Sequence, residues 1–468
     1  MTEPLWTSDE VLAAVSGRLE GGGFSADGVS FDTRSLEPGD LFVALQGERD
    51  GHDFAAQAFA KGAVAALATR AVDGGPNVLV PDTLKALEAL AAFARDRAAG
   101  VQRGAVTGSV GKTSVTQAIL AGLSRAGRAH GSIKSFNNHI GVPLTLARMP
   151  RDTERAVFEI GMNHAGEIGP LSQLVKPHAV CITNVGPVHT EAFEDGEAGV
   201  ARAKAEIFEG LAPGATAVLN ADNPWFDYLK GEAAKAGACV MSFGSAEGAD
   251  ARLLDYQPTL GGARVSARIH GHDYVFTLAQ SGFHWGLNGL AVILMLQALD
   301  VPLDTGFAAL AEFEALAGRG RERNVAVEGG RFLLIDESYN ANPMSMKAAL
   351  ASLAARKPVE EGRRIAVLTD MLELGPDSDS HHAGLVEAIE SADVHRVYLA
   401  GPHMKALWDV LPEPRRALWA ETAAELVPAV RQAVRPGDVV MVKGSNGSKA
   451  SLAAEALASL DLGAREDA

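Results

Sequence analysis

The sequence predicts three α/β domains in series, and three observations carry that reading. Short apolar runs of strand length alternate with helical stretches along the whole 468-residue chain, the pattern of mostly parallel sheets covered by helices. At ~150 residues per domain the length corresponds to about three units. Apolar residues make up 47% and charged residues 21% of the chain, enough for several cores. That composition excludes disorder, a collagen-like chain and a disulfide scaffold.

The first unit, residues 1–82, holds the strand-like runs GVSFDTR, DLFVAL, AVAAL and NVLV, with the helical FAAQAFAKG among them. The second, 83–317, opens with the helix TLKALEALAAFARDRAAG. A strand, Gly-rich turn and helix then follow in GAVTGSVGKTSVTQAILAGLSRAG. RAVFEIG, AVCITNVG and ATAVLN add further strands separated by helical stretches, as a parallel sheet requires. From about Ala249 to Ala279 the shorter, alternating runs ARVSARIHG and DYVFTLA predict antiparallel strands. The helix NGLAVILMLQALD follows, and the chain reads as a linker near Ala317, Gly318, Arg319 and Gly320. In the third unit, 318–468, the strands RFLLIDES, RIAVLTD, RVYLAG and DVVMVKGS predict a Rossmann-like sheet. No repeat of 20–50 residues interrupts the series.

Net charge is −16 and the pI is near 5.3, which disfavours nucleic acid and anionic membranes as partners. Anionic ligands must therefore meet local cations or backbone N–H groups. Cys181 lies in an apolar run and reads as a buried thiol; neither it nor Cys239 has a CxxC or Cys/His neighbour. The start MTEPLWTSDEV has no apolar signal-peptide core, and AVILMLQAL is too short to span a bilayer. A soluble, cytoplasmic protein is expected.

The strongest motif is Thr107, Gly108, Ser109, Val110, Gly111, Lys112 and Thr113, between an apolar strand and a helix. That context turns backbone N–H groups and a helix N-terminus toward a phosphate chain. Lys112 can reach the β- and γ-phosphates, and the Thr113 hydroxyl can ligate Mg²⁺. Position 106 is Val106 where the longer loop pattern has its first glycine, so the shorter TGxxGKT form is present. Glu159 and His189 follow strands whose carboxyl ends would face a nucleotide, where a carboxylate and an imidazole suit Mg²⁺. Each residue also has an ordinary reading: a solvated strand-end Glu, a hydrogen-bonded loop His. Lys204, in the helical ARAKAEIF, reads by itself as a solvated charge.

TGSVGKT, NNHIGVPLTL, FEIGMNHAGEIGPL, ITNVGPVHTEAF and AKAEIF, in that order, resemble the Mur ligases of peptidoglycan synthesis. IDESYNANPMSM, DMLELG and VKGSNGS resemble the branch that adds D-alanyl-D-alanine to UDP-N-acetylmuramoyl-tripeptide. The DNPR motif of the diaminopimelate-adding branch is absent. The resemblance spans nearly the whole chain. It implies an N-terminal UDP-sugar-binding domain, a central ATPase domain and a C-terminal Rossmann-like domain, acting as a monomer in peptidoglycan synthesis.

The resemblance also implies roles for single residues. Lys112 and Thr113 would hold phosphates and Mg²⁺, Glu159 and His189 match metal-associated positions, and Lys204 matches a lysine that becomes carbamylated. His284 and Asn288 would lie near the base, with Trp285 standing where the pattern often has Asn. Arg319 would approach the γ-phosphate, and Asp336 the ribose. Asn138, Asn340, Asn342, Lys443 and Ser445 would contact the substrates, with Pro343 continuing the Asn340 motif and Asn446 replacing an Arg. Ser30, Thr33 and Arg34 are candidates for uridine or diphosphate contacts, although such Ser/Thr–Arg pairs are common. The stretch from Leu374 and Gly375 to His382 resembles the same branch, and His381 and His382 read equally as a surface pair. Two rival readings stay open: another Mur or folylpolyglutamate-type ligase, and a nucleotide-driven switch built on the phosphate loop.

Overall fold

The computed structural model describes residues 3–133, 135–187, 193–259 and 261–463. Among them are three larger sheets. The first has the order Arg18–Glu20, Asn77–Leu79, Ala65–Ala68, Asp40–Val43, Gly28–Ser30, parallel except at the first pair. Beside it, Trp6–Thr7 pairs antiparallel with Ser25–Ala26.

The second sheet has nine strands. Gln102–Thr107 lies between Arg155–Glu159 on one side and Ala179–Ile182 on the other, all parallel. The chain leaves Gln102–Thr107 through the helix Lys112–Ala126 to the edge strand Ala129–Gly131 and returns through Arg155–Glu159. It then crosses to Ala179–Ile182, Thr216–Asn220 and Cys239–Gly244. The strand order thus reverses beside Gln102–Thr107, which opens a crevice at its carboxyl end. Ala251–Thr259, Gly262–Ile269 and His272–Leu278 extend the sheet as an antiparallel meander, as their alternating sequence predicts.

The helix Lys112–Ala126 buries Val115, Ala118, Ile119, Gly122 and Leu123, one stripe at helical spacing. That stripe joins the core built on the apolar helix Phe283–Ala298. The third sheet runs Arg321–Val327, Gly330–Glu337, Val439–Lys443, Arg364–Thr369, Arg396–Ala400, Arg416–Ala420. Its first pair is an antiparallel hairpin and the rest are parallel. The edge strand Arg321–Val327, RERNVAV, buries only Val325 fully. With so little apolar surface to cover, it carries no hydrophobic run that a sequence reading detects.

The helix Thr83–Arg97 belongs to two cores. Ala86, Leu87, Leu90 and Ala94 pack with Trp6 and with Leu41 and Leu67 of the first sheet, while Ala91 packs with Phe158 and Val180 of the second. The helix Gly141–Ala147 tightens this seam. Its Leu144 and Ala147 join the first core, and the Trp6 indole N–H donates to the Ala147 carbonyl at 2.9 Å. No helix among the described residues is long and apolar enough to cross a membrane.

Candidate functional site

Thr107 ends its strand, and the loop turns at Gly108 with φ 149°. A β-carbon at Gly108 would collide with the Thr183 hydroxyl. Asn184, two residues past the neighbouring strand Ala179–Ile182, holds the loop: its backbone carbonyl accepts from Ser109 N–H at 3.0 Å and its side chain from Val110 N–H at 3.0 Å. Ser109 Oγ donates to the Gly186 carbonyl, and Thr183 Oγ1 to that of Val110. Gly111, left-handed at φ 87°, then starts the helix with no side-chain cap. The first N–H groups of that helix are therefore left to an anionic ligand.

These N–H groups border a cleft of about 500 Å³ shared between the second and third sheets. Lys112 lines it, its Nζ donating to the Gly108 carbonyl at 2.7 Å. Burial pushes the Lys112 ammonium below the ordinary lysine value; Glu159 pulls it back and Arg319 lowers it further. A phosphate chain would supply the missing anion. Glu159 is 1% exposed, and its Oε1 accepts from Asn137 Nδ2 at 2.6 Å. Its Oε2 is buried with no hydrogen-bond partner among the described residues, an expensive state for a carboxylate oxygen unless a cation meets it. Thr113 lines the same cleft. One carboxylate and one hydroxyl beside a phosphate loop fit Mg²⁺, which keeps water and phosphate oxygens as its remaining ligands.

Lys204 lies beneath this wall on the helix Glu197–Ala205 and is 3% exposed. It does not line the cleft, and no carboxylate among the described residues pairs with it. Burial first, then repulsion from Lys112, holds its ammonium well below the ordinary lysine value. His189 lies outside the described residues.

The third sheet closes the cleft from the other side. Glu337 and Lys443 end adjacent parallel strands as register partners. Lys443 Nζ lies 3.4 Å from Glu337 Oε2 and donates to the Asn340 carbonyl at 3.0 Å. His284 stands near both, held below the ordinary histidine value by burial. His284, Asn288, Arg319, Asn340, Asn342 and Asn138 all line the cleft. Asn342 also caps the helix Pro343–Ala354 reciprocally with Ser345, and Asn138 accepts from Ile140 and Gly141 N–H at the start of Gly141–Ala147.

Several expected residues do not line this cleft. Side chains alternate along a strand, so the neighbours Asp336 and Glu337 face opposite sides. Glu337 faces the cleft, while Asp336 braces the linker, accepting from Gly318 N–H and from Ser338. Ser445 is turned away, its Oγ accepting from Leu372 N–H and donating to the Ala341 carbonyl. Ser30, Thr33 and Arg34, expected at the uridine or diphosphate end of the substrate, do not line this cleft. Ser30 donates to the Asp32 carbonyl, Thr33 to Gln57, and exposed Arg34 pairs with Asp32. His382 is no surface residue. It is fully buried, accepts from Met371 N–H at Nε2 and donates to the Ser378 carbonyl from Nδ1.

The sequence reading did not single out Asn137, Asn184, Glu337 or Tyr339. Asn137 and Glu337 each sit next to a residue that it did name. A second cavity of about 600 Å³ adjoins the first through Asn138, Gly161, Asn163 and Glu167, and reaches Lys85 and Arg95 of the helix Thr83–Arg97.

A phosphate loop at the reversal of a parallel sheet, faced by a second α/β sheet across a cleft, defines an ATP-using enzyme of the ligase type. Residues 25–97 match the family described as Mur ligase family, catalytic domain. Residues 106–296 match the Mur ligase middle domain, and 320–446 the Mur ligase, glutamate ligase domain. The chain belongs to the Mur ligase family. It is 33% identical over 455 residues to the UDP-N-acetylmuramoyl-tripeptide–D-alanyl-D-alanine ligase of Rickettsia prowazekii, covering 95% of this chain and 98% of that protein. To the ligase of the same name from Escherichia coli K12 it is 37% identical over 404 residues, covering 86% and 87%. Among solved structures, MurF from Acinetobacter baumannii superposes with a TM-score of 0.85 at 28% identity, covering 97% of this chain and 99% of that one. Folylpolyglutamate synthase from Mycobacterium tuberculosis shares the fold alone, at a TM-score of 0.62 and 17% identity over 80% of this chain and 95% of that one.

Proposed function

We propose that this chain joins D-alanyl-D-alanine to UDP-N-acetylmuramoyl-tripeptide at the cost of ATP, giving UDP-N-acetylmuramoyl-pentapeptide, ADP and phosphate. The observation that carries the reading is the unpartnered Glu159 Oε2 and the uncapped helix N-terminus on one wall of a cleft whose other wall holds Arg319, Glu337 and Lys443. A carboxylate oxygen is a poor leaving group, so its condensation with an amine needs activation. Attack of the tripeptide carboxylate on the γ-phosphorus gives an acyl phosphate and ADP. The dipeptide amine then adds to the acyl carbon, phosphate leaves, and the ammonium proton is lost to solvent or a nearby base.

In this scheme the loop N–H groups and Lys112 bind the phosphates, and Arg319 meets charge that spreads over the phosphoryl oxygens during transfer. Glu159 and Thr113 would hold Mg²⁺, which supplies charge neutralisation to the phosphate chain when bound. Substrates filling the cleft between the two sheets would displace water that otherwise hydrolyses the acyl phosphate. Burial first, then Lys112, disfavours the Lys204 ammonium and so favours the amine form that reacts with CO₂, and a carbamate there would give Lys112 an anionic neighbour. Its labelling by isotopic CO₂ and loss on acidification test that assignment.

Phosphate release with both substrates, with each alone and with neither is the direct test of the reaction. Release that needs both, with the pentapeptide product seen by mass spectrometry, supports the ligase. Release with neither substrate present sinks it and favours a nucleotide-driven switch.

A further inference from the structure

We propose that Tyr339 is the positioning residue for Arg319, and that Ser135 anchors it from across the cleft. The proposal rests on the ligase reading for what Arg319 does, and on geometry for how Arg319 is held.

Arg319 sits in the linker between the second and third sheets, with its guanidinium carbon 4.1 Å from the centroid of the Tyr339 ring. No carboxylate among the described residues pairs with it. An aromatic face attracts a cation through its quadrupole without neutralising it, so the full charge stays available to an anion in the cleft. A carboxylate partner would compete with that anion. Lys112 and Arg319 also repel one another across the cleft, so without ligand something must keep the guanidinium in place.

The backbone brings ring and cation together. Tyr339 N–H donates to the Gly318 carbonyl at 3.0 Å, and Gly320 N–H to the Asp336 carbonyl at 2.8 Å. Gly318 has φ 72°, and a β-carbon there would lie 2.9 Å from Tyr339 Cβ. Only glycine permits so close an approach.

The ring is fixed in turn from the opposite sheet. Tyr339 hydroxyl and Ser135 Oγ are 2.7 Å apart, a hydrogen bond between side chains 204 positions apart in sequence. Ser135 lies two residues before Asn137, the amide that orients Glu159. One short segment therefore carries the anchor of the cation and the orienter of the carboxylate. Nearby, Asn184 Nδ2 meets Met344 Sδ at 3.4 Å, a second bridge, from the phosphate loop's support to the helix that follows Tyr339.

The test is steady-state kinetics on the full chain with Tyr339→Phe, Ser135→Ala, their double variant, Tyr339→Leu, Arg319→Ala and Arg319→Ala/Tyr339→Leu. Tyr339→Phe and Ser135→Ala each lose the same bond and keep the ring, so each should lower kcat about 3- to 10-fold. The double variant should match either single one. Tyr339→Leu removes the platform and should lower kcat about as far as Arg319→Ala, with no further loss when the two are combined. KM for ATP should stay nearly constant throughout, because the contact is made chiefly in the transition state. Losses that multiply in the Ser135/Tyr339 double variant, wild-type kcat in Tyr339→Leu, or effects on KM alone would each overturn the proposal. A wild-type chain with no substrate-dependent phosphate release overturns the ligase reading instead. The anchor is then read by small-angle scattering: a larger radius of gyration in Tyr339→Phe upholds it, and an unchanged one refutes it.

Discussion

At the scale of single residues, two lysines differ because their surroundings differ: Lys112 lines the cleft and Lys204 is buried. Burial lowers the proton affinity of both; at Lys112 Glu159 pulls it back up against Arg319, whereas at Lys204 the neighbour Lys112 pushes it down further. Lys112→Ala should therefore cut turnover by orders of magnitude with the fold kept, since its charge serves phosphate and not packing. Lys204→Ala should also lose most activity, but acetate or formate should restore part of it by filling the place of a carbamate. Assaying both variants with and without the additive separates the two roles. Rescue of neither, or full activity of Lys204→Ala unaided, would end the carbamate assignment.

At the scale of elements, the phosphate loop has almost no freedom to change. Gly108 combines a positive φ with the Thr183 hydroxyl where a β-carbon would stand. Gly108→Ala should cost roughly 1–3 kcal/mol of backbone strain and push the loop off Thr183. ATP affinity measured by titration calorimetry should fall more than the urea midpoint does. An unchanged affinity would mean that the loop relaxes without consequence. The third sheet holds a different sensitivity in His382, whose neutral ring accepts from Met371 N–H. Burial chiefly, with His403, lowers its proton affinity against the Ser378 carbonyl, Asp370 and Asp379. The unfolded chain thus binds the proton more readily than the folded one. This contribution is complete above about pH 6.5, the unfolded histidine value, and is lost as pH falls below it. Thermal midpoints between about pH 7 and pH 5 should fall more steeply for the wild type than for His382→Gln. His130, His178 and His284, also lowered by burial, leave the variant a residual slope.

What the sequence discloses about these elements depends on how local the cause is. The strand, Gly turn and helix of the phosphate loop are readable because each signal lies within a few residues of the next. The antiparallel meander is readable from its alternation. Glu337 is not, because choosing it over Asp336 needs the face that each presents, and its pairing with Lys443 needs the register of strands 106 positions apart. Nor can a motif reveal that the Ser30 hydroxyl donates to the Asp32 carbonyl and that of Thr33 to Gln57. The role of Asn184 depends on the strand before it lying beside Gln102–Thr107, a fact of topology that its own neighbours in sequence do not announce.

At the scale of the whole molecule, the helix Thr83–Arg97 makes the first two sheets a single thermodynamic body. Its residues complete both cores, so neither can melt while the other keeps its packing. Both cores of the third sheet, by contrast, are built only from residues of that sheet and its helices. Scanning calorimetry should accordingly resolve two heat-absorption peaks and not three, one for the two joined sheets and one for the third. Leu90→Ala, a loss of about 2–5 kcal/mol in a packed core, should lower the first of these and leave the second in place. A heat pulse that melts the third sheet alone would leave the phosphate loop intact while removing Arg319's platform. The chain would then still hold nucleotide and no longer turn it over.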